Sequence, residues 1–291
     1  MKNTPSNHPI FVSEVSSNHA CDISRCFEFI ETSARIGCDA IKFQLFKIDK
    51  LFAPEILAKS EQHRNRSAWE LPEPFIPAIA KRCKETGIGF SCTPFYLGAV
   101  EILTPYVDFF KIASYELLWN DLLIACARTG KPVVLSTGMA DMDEISTAVS
   151  TLRNAGCKDL TLLHCVSGYP APAEQANLSA INTLRNEFHC KTGWSDHTVS
   201  EGVVQRAVHK YGAEMIEFHL DLDMSGAEYS SGHCWLPDDA ERLIKNTLTG
   251  FKADGDGIKI PTPAEQPDRE WRADPEDGLR PTKSIRESWK A

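Results

Sequence analysis

Long apolar runs are missing: nothing in the 291 residues approaches the ~20 consecutive apolar residues of a bilayer-spanning helix. The opening residues, MKNTPSNHPI, lack the apolar core of a secretory signal, so a cytoplasmic protein with no membrane partner is expected. Positive charge is in deficit, with 31 Lys+Arg against 40 Asp+Glu and a formal charge of −9. That balance argues against nucleic acid or an anionic membrane as partner, although a basic pocket can sit inside an acidic protein. No CxxC pair occurs, which argues against a structural zinc knuckle. The ten cysteines fall mostly inside apolar periodic segments, as at Cys38, Cys83, Cys126 and Cys157, where a free thiol packs like a small hydrophobe. A chain this long has no need of covalent staples. No G-x-G-x-x-G follows the first strand-like run, which removes the main reason to expect the runner-up fold, a doubly wound sheet.

What is present alternates. Strand-length apolar runs fall at 10–15, 39–45, 88–92, 107–112, 132–136, 159–164, 191–195 and 214–219. Amphipathic segments lie at about 22–36, 73–86, 97–104, 119–129, 142–155, 178–187, 200–211 and 237–250. Glycine follows several of them, as at Gly37, Gly87 and Gly130, where a helix C-cap is expected. Eight strands alternating with eight helices predict an α/β chain folded as a (β/α)8 TIM barrel, a fold of about 250 residues. The barrel domain is expected over 1–251, and an irregular C-terminal extension rich in Pro, Asp and Arg over 252–291. The connection at 46–71 is too long for a bare loop and predicts a functional or partly helical insertion.

In such a barrel the chemistry gathers at the C-terminal ends of the strands. The stretch 191–221 organises the rest, because Asp196-His197 and Glu217-x-His219 each end a strand on either side of one helix. Parallel neighbours bring both imidazoles to one cavity. Taken singly, each histidine reads as a core residue bonded to a carbonyl. Together, at strand ends beside carboxylates, they point to a divalent transition metal. The same rim collects Glu14, Lys42, Gln44, Thr93, Lys111, Ser114, Glu116, Ser136, Thr137, His164, Ser167, Tyr169, Ser195 and Glu217. A lysine inside a strand of Ile, Phe and Leu is costly unless it has a task. Lys42 could instead snorkel, and Lys111 could pair with a structural acid such as Glu14. Two cations among hydroxyls form a receptor for a phosphate or carboxylate, and the Ser136-Thr137-Gly138 turn permits close backbone approach. An anion site beside a Lewis acid implies joining or cleaving a small anionic molecule against a carbonyl partner.

Eight phrases then recur in order: SEVSSNH (13–19), IKFQ (41–44), SCTPF (91–95), KIASYE (111–116), STGM (136–139), HCVSGYP (164–170), WSDHT (194–198) and IEFHLDLD (216–223). Over about residues 9–250 the chain resembles the sialic acid (N-acetylneuraminate) synthase family. The resemblance implies that phosphoenolpyruvate is held by Lys42, Thr93, Lys111, Ser114, Ser136, Ser167 and Ser195, with Asp196 counted among the substrate-binding residues. It implies manganese or magnesium on His197 and His219. Glu14, Gln44, Glu116 and Tyr169 would orient the acceptor aldose, and Glu217 would assist proton transfer. In that chemistry C3 of the enol attacks the sugar aldehyde, water adds at C2, and phosphate leaves with C–O cleavage to give a 3-deoxy-2-ulosonic acid. A homodimer is expected by likeness alone.

Three departures qualify the resemblance. Glu217-Phe218-His219-Leu220 stands where the family usually has Glu-Lys-His-Phe, and Phe218 is expected to repack the barrel wall. The loop GAEYSSGHCWLP (226–237) lacks the family's Asp-His pair, which makes Glu228 the candidate substitute. His233 and Cys234 are expected in a solvent-exposed loop, with a further metal or acceptor contact as the alternative. The forty residues from 252 are too few for the family's antifreeze-like domain, so the acceptor need not be N-acetylmannosamine itself. Gln62, His63, Arg64 and Arg66 of the insertion are expected to supply the missing contacts. The rival readings are a metal-dependent barrel hydrolase or retro-aldolase, and an inactive sugar-binding barrel. The lack of an HxH pair on the first strand weighs against the former, and intact Lys42, Lys111, Thr93 and Ser136 against the latter.

Overall fold

The computed structural model describes residues 8–289. Its centre is a ring of parallel strands: β1 (Ile10–Glu14), β2 (Ala40–Leu45), β3 (Gly89–Pro94), β4 (Phe109–Ile112), β5 (Val133–Ser136), β6 (Leu160–Cys165), β7 (Lys191–Asp196) and β8 (Met215–Leu220). Each pairs with the next, and β8 pairs back onto β1 with His219 opposite Glu14, which closes the barrel. The helices between them are α1 (Ile23–Ile36), α2 (Ile76–Thr86), α3 (Leu97–Leu103), α4 (Asn120–Arg128), α5 (Met142–Asn154), α6 (Ala180–Phe188) and α7 (Glu201–His209), with α8 (Pro237–Ala253) after β8. This is the (β/α)8 barrel that the periodicity predicts.

Local chemistry sets the helix ends. Asp22 accepts from the Ser24 amide to start α1, and Gly37, at φ 97°, ends it in a conformation that favours glycine. A reciprocal pair, Asp141 with Glu144, starts α5.

Side chains alternate along each strand, and this divides the barrel wall. Outward residues such as Phe11, Ile41, Phe90, Phe110, Leu162, Trp194 and Phe218 pack in the layer between strands and helices. Inward residues form two layers. The lower one is apolar: Val12, Ala40, Phe109, Val134, Leu163 and Met215, all buried. Two residues further along the same strands stand Glu14, Lys42, Lys111, Ser136, Cys165 and Glu217, again buried. One pleat along the strands therefore separates core from site. Burying each of its larger side chains, Val12, Phe109, Val134, Leu163 and Met215, contributes about 1.5–3 kcal/mol, which supports the costlier polar layer above it.

A short further strand, β9 (Cys234–Trp235), pairs with β8 through His219↔Cys234 and Leu220↔Trp235. The insertion forms short helices at Ile48–Leu51, Pro54–Lys59 and Glu61–Asn65 and a turn at Arg66–Trp69. Its polar residues bond within the segment: His63 with Ser60 at 2.6 Å, Arg64 with the Leu57 carbonyl at 2.5 Å, and Arg66 over the rings of Phe52 and Trp69.

Residues 252–291 form a separate compact unit. Within it, turns at Pro263–Glu265 and Arg269–Trp271 precede a helix at Lys283–Ser288. Asp274 accepts from the Lys283 amide at 2.7 Å, and Arg286 pairs with Asp277 at 2.8 Å. All ten cysteines are free thiols, and no helix among the described residues is long and apolar enough to cross a membrane.

Candidate active site

Four charges meet in the upper layer of the barrel. The Lys42 ammonium contacts the Glu14 carboxylate, lies 3.7 Å from Glu217 and 3.3 Å from the Thr93 hydroxyl. Lys111 lies 3.0 Å from the other oxygen of Glu217, which also accepts from the Ser195 hydroxyl at 3.1 Å. Gln44 and the Ser16 amide donate to Glu14 at 2.9 and 2.8 Å. Burial alone pushes the Glu217 carboxyl up, yet Lys111 and then Lys42 outweigh it and hold the group down at about 2. Burial pulls Lys42 down, but Glu14 and Glu217 more than offset it and raise the ammonium above its ordinary value. Lys111 goes the other way: burial, with repulsion from Lys42 beside it, outweighs the pull of Glu217 and Glu14 and lowers it. Neither lysine is a bare cation. An incoming anion must compete with the carboxylates for them.

Beside these charges is a set of hydroxyls with little else to bind. Ser136 Oγ and Ser167 Oγ are buried without a hydrogen-bond partner, as is Glu116 Oε2. Ser114 Oγ accepts from the Gly138 amide at 2.9 Å and lies 3.2 Å from Cys165 Sγ. A Cβ at Gly138 would stand 2.4 Å from Ser167 Oγ and 2.9 Å from Ser114 Oγ, so only glycine lets this turn approach the hydroxyls. Burial lifts the Glu116 carboxyl to about 7 against the pull of Lys111. Buried polar atoms left without a partner call for one that the protein itself does not supply.

On the far side stand three imidazoles rather than two. His197 donates through Nδ1 to the Val166 carbonyl at 2.7 Å, which leaves Nε2 with a free lone pair. Burial, with His219 adding to it, lowers His197 to about 3 and keeps the ring neutral. His219 Nδ1 lies 3.1 Å from Glu228 Oε2, and His233 Nε2 lies 3.6 Å from the same oxygen. Burial raises the Glu228 carboxyl, but its bonds from His219 and His233 win and hold it well below the carboxylate range. The Tyr169 ring covers the group, with centroids 4.3 Å from His197, 4.9 Å from His233 and 6.0 Å from His219. A neutral imidazole oriented by a carbonyl through its other nitrogen fits the way histidine presents itself to a divalent metal.

Other assignments change. Asp196 faces outward, and its carboxylate accepts from the indoles of Trp194 and Trp235, both at 3.0 Å, and from Thr198 and Val199. With every lone pair engaged, it fastens β9 to β7 rather than meeting substrate. His164 also points outward, onto the Ala176 carbonyl and the Trp194 ring. His233, expected in solvent, is 4% exposed. Asn18 was not assigned a role from sequence, yet it accepts from the Glu228 amide and donates to the Leu220 carbonyl, pinning the loop after β8. Its only signal was its place in the SEVSSNH phrase.

Residues 29–259 match the NeuB family. The chain is 39% identical to an uncharacterised protein of Methanocaldococcus jannaschii, over 89% of this chain and 76% of that one. It is 33% identical to N,N'-diacetyllegionaminic acid synthase of Campylobacter jejuni, over 88% of this chain and 80% of that one. Among solved structures it resembles the N-acetylneuraminic acid (sialic acid) synthetase of Leptospira borgpetersenii, with a TM-score of 0.78, 31% identity and coverage of 91% and 92% of the two chains. A family match over most of the barrel, with relatives above 30% identity along most of their length, settles the kinship: the chain belongs to the NeuB family.

Proposed function

We propose that this protein condenses phosphoenolpyruvate with an aldose, N-acetylmannosamine or a related sugar, to give a 3-deoxy-2-ulosonic acid and inorganic phosphate. The observation that carries the reading is the meeting, in one barrel mouth, of two buried lysines, unpartnered serine hydroxyls and a cluster of imidazoles. The three-carbon anion suits Lys42, Lys111, Thr93, Ser114, Ser136, Ser167 and Ser195, with the Gly138 turn giving its backbone room.

The balance of the reaction is simple. A bond forms between C3 of the enol and the aldehyde carbon, water supplies the new oxygen at C2, and the C2–O bond to phosphate breaks. Glu217 sits between both lysines and Ser195, placed to take or return the proton that water loses. Gln44, Glu116 and Tyr169 lie round the mouth to orient the sugar, while Glu14 fixes Lys42. A divalent ion, manganese or magnesium by the family's habit, fits His197 and His219 and would polarise the aldehyde oxygen when bound.

The test is direct. Protein supplied with phosphoenolpyruvate, manganese and a panel of aldoses is expected to release phosphate only with the right acceptor. No calorimetric binding of phosphoenolpyruvate in the metal-loaded protein would sink the reading. His219→Ala is expected to abolish turnover while leaving phosphoenolpyruvate affinity within about threefold, because the imidazole serves the aldehyde and not the anion.

A further inference from the structure

We infer that the loop after β8 joins His219 in a four-donor cage for a borderline-soft divalent ion such as zinc or cobalt, built from His219, Glu228, His233 and Cys234. The inference rests on the reading that an ion serves this mouth, and departs from it in the ligands and in the kind of ion. The four side chains each offer a donor atom, and these atoms lie within 4.8 Å of one another. His219, His233 and Cys234 are buried.

The spacing has the right scale. Donors about 2.0–2.3 Å from a common centre stand roughly 3.4 Å apart in a tetrahedral shell. Glu228 Oε2 lies 3.1 Å from His219 Nδ1 and 3.6 Å from His233 Nε2. β9 pairing sets Cys234 opposite His219, which makes a thiol and an imidazole neighbours from strands remote in sequence. One nitrogen of His233, itself 4% exposed, has no hydrogen-bond partner. That atom is Nδ1, across the ring from the Nε2 that faces Glu228, and a buried nitrogen left open calls for a partner.

The cage is also braced from outside, as ion sites require. Ser16 Oγ donates to Glu228 Oε1 at 2.6 Å, Asn18 Oδ1 accepts from the Glu228 amide at 2.9 Å, and Asn18 Nδ2 lies 3.6 Å from Cys234 Sγ. Arg25 bridges Asp221 at 3.1 Å and Asp223 at 2.9 Å, holding the start of the loop. Gly226 is needed there, because a Cβ would meet Asp221 at 2.3 Å and Asn18 at 2.5 Å. Two imidazoles, one carboxylate and one thiolate favour zinc or cobalt over magnesium, which prefers an all-oxygen shell.

Cobalt(II) added to the metal-free full chain reports the shell without any turnover. A near-ultraviolet sulfur-to-cobalt charge-transfer band, with the intense visible bands of four-coordination, is expected in the wild type. Cys234→Ser is expected to lose the charge-transfer band. Glu228→Gln and His233→Gln are each expected to weaken zinc affinity at least about tenfold by competition with a chromogenic chelator. His197→Gln is expected to weaken it less. A six-coordinate spectrum with no sulfur band, together with binding lost in His197→Gln and unchanged in Glu228→Gln and His233→Gln, would overturn the cage and leave the proposed condensation standing. The cage confirmed, with no phosphoenolpyruvate bound under any metal, would do the reverse.

Discussion

Glu217 is the residue on which the mouth turns, since it lies 3.0 Å from one buried ammonium and 3.7 Å from another. Glu217→Gln keeps the volume and removes the charge, leaving Lys111 without an ionic partner. Truncating one side of a buried pair costs about 3–5 kcal/mol, so the unfolding free energy from urea titration at neutral pH should fall by that amount, with a lower midpoint. An unchanged midpoint would mean that the lysines are solvated and the pairing is incidental. Glu116 gives a second residue-level test through pH. Its folded carboxyl is raised from 4.5 to about 7, so its stabilising contribution is full below pH 4.5 and is lost as pH rises through 7. Glu116→Gln should therefore be more stable than the wild type at pH 8, by on the order of 2–3 kcal/mol, and the two should converge below pH 4.5 in urea titrations. Equal stabilities across that range would show that the carboxyl is solvated. Legibility followed one rule at this scale. Lys42 and Lys111 could be read because a charge inside an apolar run is conspicuous. Asp196 and His233 were misread because their surroundings come from Trp235, 39 residues from Asp196, and, around His233, from Tyr169 after β6 and His219 on β8.

The eight barrel strands fall within two residues of their sequence-read bounds at nearly every end, because alternation between helical and strand periods is a signal carried by many residues at once. β9 escaped notice because two residues cannot display a period of two, and its pairing with β8 depends on the course of the loop between them. The insertion was legible as partly helical, but the expected reach of Gln62, His63, Arg64 and Arg66 into the mouth was not supported: the bonds and stacking of His63, Arg64 and Arg66 stay local. A constraint invisible to periodicity lies in β7. A Cβ at Gly193 would stand 2.2 Å from the Met215 carbonyl and 2.7 Å from Leu163, on the inner face of the wall. The first of these is backbone and cannot rotate away. Gly193→Ala should therefore reach or exceed the upper end of the usual overpacking cost of about 1–3 kcal/mol, measured by chemical denaturation. A mild effect would mean that β7 and β8 can separate locally without loss of the closed ring.

At the scale of the molecule, closure and the layered interior account for the fold by themselves. Every barrel strand has a neighbour on both sides, and the apolar lower layer and the strand–helix layer are made by residues up to Ile244. The unit from residue 252 holds itself together by its own contacts, with Asp274 receiving Lys283 and Glu276 and Arg286 gripping Asp277. Sequence reading placed a boundary at 251 because apolar periodicity stops there, a change in composition rather than a visible linker. We propose that the barrel is the folding unit. A chain ending at Ala253, the last residue of α8, keeps all eight strands and helices. It is expected to melt cooperatively, as single domains do, and to bind phosphoenolpyruvate with affinity within about threefold of the full chain, since Lys42, Lys111, Ser136 and Ser167 all precede the cut. Far-ultraviolet circular dichroism and calorimetry on the two chains decide the matter. If the shortened chain melts broadly, the barrel does not fold as a unit by itself. If it melts sharply but no longer binds, the assignment of phosphoenolpyruvate to the barrel residues alone is wrong.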